Sequence, residues 1–261
     1  MNEALERRFA AMGARLSVPE RPWRGAPRID VRSDGYGEYF HIGFRGGSQE
    51  VGVEVVDVRP QDRHLLLLVR EGEEKSKFLC GHDERHWFVA AIPENARGVT
   101  GVVTAKVALQ PEAVRELIAR VKPKDQFRRR NEVYVRQGEW FFVPAKLLPE
   151  PTRAQTLVNE PLSRGAGSKP HVMQFAFRRG GRVVYVNRSY PTGISEAQFA
   201  RLSPYQRSSG GWTRFVRDPE VYAKGSVRHS DHATIHLATW HRVLMNTEQA
   251  ARAMRHVAFL D

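Results

Sequence analysis

The stretch VRHSDHATIHLATWH, Val227 to His241, holds His229, His232, His236 and His241, four of the chain's ten histidines. Imidazole is the commonest protein ligand for transition metals, and at neutral pH it also serves as a general base. A second concentration, LCGHDERHWF, sets Cys80, His82, Asp83, Glu84 and His86 close together. Thiolate, imidazole and carboxylate offer half a metal site, to be completed by His171 or the C-terminal histidines, or a Cys–His nucleophile pair. Both stretches also have plainer readings: histidines on a sheet surface, and a polar turn between two strands. Neither an HExxH helix motif nor a CxxC pair is present. His232 and His236 would converge on a helix, but on a strand they stand ~13 Å apart.

A wider spacing adds a specific chemistry. Asp231-His232 is followed by Asn246 and then by His256. This order resembles that of the His-Asn-His endonucleases over about 30 residues. The resemblance implies a ββα unit around one divalent metal, with His232 activating water, Asp231 and His256 holding the ion, and Asn246 orienting the base. Two departures stand beside it. The last gap is one residue longer than in the family, which turns His256 by ~100° on a helix, and the glycine-rich loop between the strands is missing. Asn246 also suits the N-cap of a terminal helix, with Gln249 three residues on. The candidate catalytic residues are thus His232 and Asn246, and the candidate metal ligands Asp231, His256, His229 and His236. Cys80, His82, Glu84 and His86 form the alternative site. The expected cofactor is a divalent ion, Mg, Mn or Zn.

Charge points to the partner. Lysine and arginine number 41 against 29 acids, a net charge of +12, which favours polyanions. The tract KPKDQFRRR carries Lys122, Lys124, Arg128, Arg129 and Arg130 against Asp125 alone, ahead of a hairpin bearing Tyr134, Arg136, Trp140 and Phe141. FRRGGRVVYVNRSY repeats the theme with Arg178, Arg179, Arg182 and Arg188. Cations beside aromatics on a sheet suit phosphate contact and base stacking, so DNA or RNA is the expected partner. The plainer reading makes Trp140 a core residue and the arginines a solvated face. A basic nucleic-acid-binding protein, with metal-dependent phosphodiester cleavage as its chemistry, leads. A non-catalytic assembly protein with a protein partner or a second copy is the alternative, as is a metalloenzyme using Cys80, His82 and His86 on a small substrate. P-loop, dinucleotide-binding and nucleophile-elbow motifs are absent.

These residues need elements to position them. Leu5, Phe9, Met12 and Leu16 make one face of an N-terminal helix. Between Tyr36 and Pro93, EYFHIGF, VGVEVVDV, HLLLLV, KFLC and HWFVAAI read as five short strands, a meander or small barrel. PEAVRELIARV reads as a helix, VYVRQGEWFFV as a hairpin about Gly138, and HVMQFAFRRGGRVVYV as a hairpin about Gly180-Gly181. SEAQFARL has a capping box, VYAKGSVR and ATIHLATWHRVLM read as strands, and a helix is expected from about Thr247. The fold class is α+β, mainly antiparallel, with a meander-like N-terminal half, a hairpin-rich C-terminal half and helices at the ends. The domains expected are 1–143 and 171–261, joined by a proline- and glycine-rich linker or loop over 144–170. The lone Cys80 excludes an intramolecular disulfide, and the N-terminus lacks a signal peptide's apolar core, so a cytoplasmic protein with no membrane contact is expected.

Overall fold

A computed structural model describes residues 2–19, 28–43, 51–164, 168–252 and 257–258. It consists mainly of antiparallel sheet with five short α-helices among the described residues, an α+β fold. No helix is long and apolar enough to cross a membrane.

The N-terminal half is two stacked sheets. Strands Val51–Arg59, His64–Glu71, Glu74–Asp83 and His86–Ile92 form an antiparallel meander. Strands Arg28–Asp34 and Gly37–Gly43 pair beside it, edged by the short parallel strands Leu16–Ser17 and Val257–Ala258. The unbroken run Leu65 to Val69 is explained by burial on both faces of the meander. Leu65, Leu67 and Val69 pack with Phe9, Phe40 and Phe78, whereas Leu66 meets the opposite core around Val102 and Ala105. The helix Val102–Leu109 supplying that second layer was not evident from VVTAKVAL, whose β-branched residues and uniform apolarity carry no helical stripe. In the N-terminal helix Asn2–Ala11, Leu5 and Phe9 are buried with Met12 just beyond, while Leu16 has already entered a strand.

The C-terminal half holds a six-stranded sheet, in the order Leu157–Leu162, His171–Arg179, Glu220–Arg228, Ile235–Met245, Trp140–Pro144 and Val135–Gln137, and a three-stranded one of Ile194–Ser195, Arg182–Val186 and Thr213–Arg217. The hairpin about Gly138 therefore sits in the C-terminal sheet, because Trp140 and Phe142 complete its apolar face with Met173, Ala223 and Leu237. Gly138 has φ +56 and opens a two-residue turn, the pattern that matches strand twist in a tight hairpin. The stretch 144–170 includes the edge strand Leu157–Leu162.

Two expectations are corrected. The chain about Gly180-Gly181 does not fold back on itself, since His171–Arg179 and Arg182–Val186 belong to different sheets. Each pairs with a segment from further along the chain. The helix expected from Thr247 is one 3-10 turn, Thr247–Ala250. Asn246 caps it as anticipated, its side chain accepting from the Glu248 amide, but Gln249 donates to the Arg164 carbonyl instead of closing a box.

Candidate metal centre

Three histidines converge at one end of the six-stranded sheet. His171 opens the strand His171–Arg179, and Val172 pairs with Arg228 on the neighbouring antiparallel strand. Continuing that register by one residue sets His171 opposite His229, and their rings stack with centroids 4.2 Å apart. His232 lies in the turn leading to Ile235–Met245, and its ring is 4.8 Å from that of His229 and 5.7 Å from that of His171. One ring nitrogen from each lies within 4.8 Å of the others.

The surroundings favour neutral imidazole. His171 is 1% exposed, and neither of its ring nitrogens has a hydrogen-bond partner. Burial, then the neighbouring His229, push its pKa down to about 3. Burial likewise lowers that of His232, whose Nδ1 is also buried without a hydrogen bond and stands 3.9 Å from Glu84 Oε2. His229 accepts from the Asp231 amide through Nδ1, leaving Nε2 to donate to the Lys169 carbonyl at 3.3 Å. To ligate an ion, His229 would exchange one of these bonds. Gly138 keeps the space in front of the rings open. A Cβ there would lie 2.9 Å from His232 Nε2 and 3.4 Å from His171 Nε2.

A buried polar atom without a partner costs about 1–3 kcal/mol, and His171 carries two. Three neutral imidazoles with an open approach are a common donor set for a tetrahedral ion that keeps a position for water or substrate. The residues present fit a divalent metal on these grounds.

The cluster lines a cavity of about 570 Å³ between the two halves, whose wall also holds Asp231, Asn246, Glu139, Glu248, Arg164 and Lys169. Glu248 is 3% exposed, and burial, with the nearby Glu139 carboxylate adding to it, raises its pKa to about 7. Arg164 stands between these acids, 3.3 Å from Glu248 and 3.9 Å from Glu139. The cavity thus combines imidazoles, a carboxyl group able to hold a proton near neutrality, and the cations Arg32, Arg164 and Lys169.

Of the other sequence candidates, Asp231 and Asn246 line the same cavity without joining the three imidazoles. Asp231 pairs with Lys169 at 3.2 Å. His236 is exposed and stands outside the cluster, and His256 lies outside the described residues. The ββα unit implied by the endonuclease resemblance is not formed through residue 252, because only the 3-10 turn follows Asn246.

The alternative site does not assemble, because its residues take different partners. Cys80 is fully buried in the N-terminal core, where burial pushes its thiol pKa far up. His82 packs edge-on against Trp87, and His86 bonds Glu38 at 2.7 Å. Glu84, at φ +51 in the turn, reaches the C-terminal half, where it accepts from the Ala233 amide at 2.7 Å. Native Cys80 is accordingly expected to resist a maleimide until the protein unfolds; stoichiometric labelling of folded protein, followed by mass spectrometry, would contradict this placement.

The basic tract is partly neutralised from within. Arg129 pairs with Asp83 and Glu84, Arg136 with Asp83, Arg128 with Asp125, and Arg130 donates to the His236 carbonyl. Trp140 is core, 7% exposed, and offers no stacking face. Lys122 and Lys124 are exposed, as are Arg178, Arg179 and Arg182, although Arg178 pairs with Glu160 and Arg182 with Asp218.

His171 is the residue that motif reading did not join to His229 and His232. No spacing signals it, because the two are joined by strand register across more than fifty residues. No protein-family model matches the chain, and neither a curated protein nor a solved structure matches it.

Proposed function

We propose that this protein is a metal-dependent hydrolase of phosphodiesters, acting on nucleic acid at the cavity between its two halves. The observation that carries the reading is the convergence of His171, His229 and His232, with both nitrogens of the buried His171 unsatisfied. A divalent ion held there would supply Lewis acidity at a phosphate oxygen and lower the pKa of water. Lys169 and Arg164 line the same wall and would attract the phosphate. Glu248, its pKa raised by burial to about 7, is suited to protonate the leaving oxygen, and Glu139 to accept a proton from water. The cavity volume, about 570 Å³, is of the size that accepts a nucleotide unit, and the charge of +12 favours a polyanion over a neutral ester.

The test is a gel assay of purified protein with plasmid DNA, single-stranded DNA and RNA, in Mg²⁺, Mn²⁺, Zn²⁺ or EDTA. Metal-dependent fragments are expected, lost in His232→Ala and retained in His82→Ala. Intact substrate in every lane, from protein verified to carry metal, would overturn the reading.

A further inference from the structure

The six-stranded sheet carries an arm. Its two long strands pair through Arg179 and Glu220, and the ladder resumes beyond an interruption with Arg182 opposite Arg217. The register carries through, so Arg182–Val186 and Thr213–Arg217 prolong the same ribbon past a corner. Backbone chemistry makes that corner. Gly180 and Gly181 have φ +67 and +89, and opposite them Asp218 has φ +53 ahead of Pro219, which lacks an amide hydrogen. A Cβ on Gly181 would lie 2.6 Å from Val216 and 2.9 Å from the Arg217 carbonyl, so the corner needs glycine.

Residues 182–217 have their own small frame. The Tyr185 and Phe199 rings stack at 3.8 Å, and Trp212 meets Phe199 edge-on at 5.3 Å. Two short helices, Glu196–Ala200 and Pro204–Ser209, are each fixed by a serine–glutamine capping box. Not one residue of the arm is fully buried, and its strand Thr213–Arg217 is exposed throughout. An element so solvated adds little to the core, and its composition is one-sided: six arginines against the single acid Glu196. Among the described residues, Arg188, Arg201, Arg207, Arg214 and Arg217 are exposed and have no acid within ion-pair distance.

The pairing also sorts side chains. Antiparallel partners share a face and successive residues alternate, so Arg182, Val184, Phe215 and Arg217 lie on the side opposite Tyr185. Phe215 is 52% exposed there, a large apolar ring on open sheet between guanidinium groups. Rings and guanidinium groups in that order serve a chain of alternating bases and phosphates.

We infer that the arm, residues 182–217, is a binding platform for single-stranded nucleic acid, with its arginines on phosphates and Phe215 under a base. The inference deepens the proposed function, resting on nucleic acid as the substrate, and gives that substrate a grip separate from the cavity. An acidic protein is the competing occupant of such a surface. A polyanion of nucleotides is favoured because an exposed aromatic flanked by Arg182 and Arg217, the latter with no acid within ion-pair distance, offers stacking as well as charge.

The test is fluorescence anisotropy in EDTA with a labelled oligo-dT, a duplex of equal length, and poly-glutamate as competitor. The triple variant Arg182→Ala, Arg188→Ala, Arg217→Ala is expected to weaken oligo-dT binding about tenfold or more. Its dependence on log salt should fall by about 2, since each lost phosphate contact on a single strand removes roughly 0.7. Phe215→Ala should erase the preference for single strand over duplex, and His82→Ala, outside both the arm and the cavity wall, should leave binding unchanged. Wild-type affinity in the triple variant, or poly-glutamate binding as tight as oligo-dT, would overturn the inference. Retained binding alongside failed cleavage would count against the metal reading alone.

Discussion

Replacing His171 by phenylalanine is expected to abolish zinc-induced stabilisation while leaving the metal-free protein at least as stable as the parent. The ring fills similar space against His229 and Trp140, and it removes two buried nitrogens that lack partners. A purely structural histidine would be missed for its hydrogen bonds, and this one makes none. In the parent, zinc at 100 times its Kd should add about 2.7 kcal/mol to unfolding. Loss of one ligand from a site worth about 10–16 kcal/mol over four ligands is ~3 kcal/mol, or roughly a 100-fold weaker Kd. Thermal melts with and without zinc read both effects. A zinc-induced shift of parental size in His171→Phe would remove His171 from the site.

The same variant has a pH signature. His171 titrates at about 3 in the fold and near 6.5 when unfolded, so between those values the unfolded chain binds the extra proton. Stability from this group is therefore complete above pH 6.5 and falls as pH drops toward 3. His171→Phe should flatten that part of the metal-free profile. An unchanged slope in urea melts across the window would show that the imidazole is not held neutral.

The second large effect is expected at Gly138, where Gly138→Ala should damage the fold and the centre together. The position has φ +56, a conformation that costs an L-residue about 1–2 kcal/mol. The added methyl would also sit 2.9 Å from His232 Nε2 and 3.4 Å from His171 Nε2, between the two rings and the cavity. One or both imidazoles must move, and outer contacts of this kind typically change metal affinity about 10- to 100-fold. Urea denaturation and zinc titration separate the two parts. Zinc affinity within twofold of the parent would mean that the rings do not converge in front of Gly138.

What the sequence disclosed follows from the range of the physics involved. Local periodicity was sufficient for four of the five strands expected in the meander, Val51 to Ile92, where each pairs with the next. EYFHIGF, read as the first of them, pairs with Arg28–Asp34 in another sheet. The Ser195–Gln198 capping box was legible for the same reason, four residues deciding one turn. The double glycine at 180–181 misled because its φ values serve a hairpin and a corner equally, and only the later Asp218-Pro219 decides between them. Cys80, next to a polar cluster in sequence, belongs to the core because it shares with Phe78 the face of its strand that packs on Phe40 and Phe9, while His82 lies nearer the strand end against Trp87. In the candidate site, the clustering of His229 and His232 was plain. His171 was not, since its place depends on a non-local pairing that composition and spacing do not encode. In the sequence His171 offers itself only as completing the Cys80 cluster, which the fold takes apart.

The central claim, that His171, His229 and His232 hold a divalent metal, is tested most directly by titrating metal-free protein with Co²⁺ and following visible absorption. The account predicts ligand-field bands of a tetrahedral centre that saturate at one ion per chain, compete with Zn²⁺ and vanish in His171→Phe. Bands absent at saturating Co²⁺, or present unchanged in His171→Phe, would contradict it.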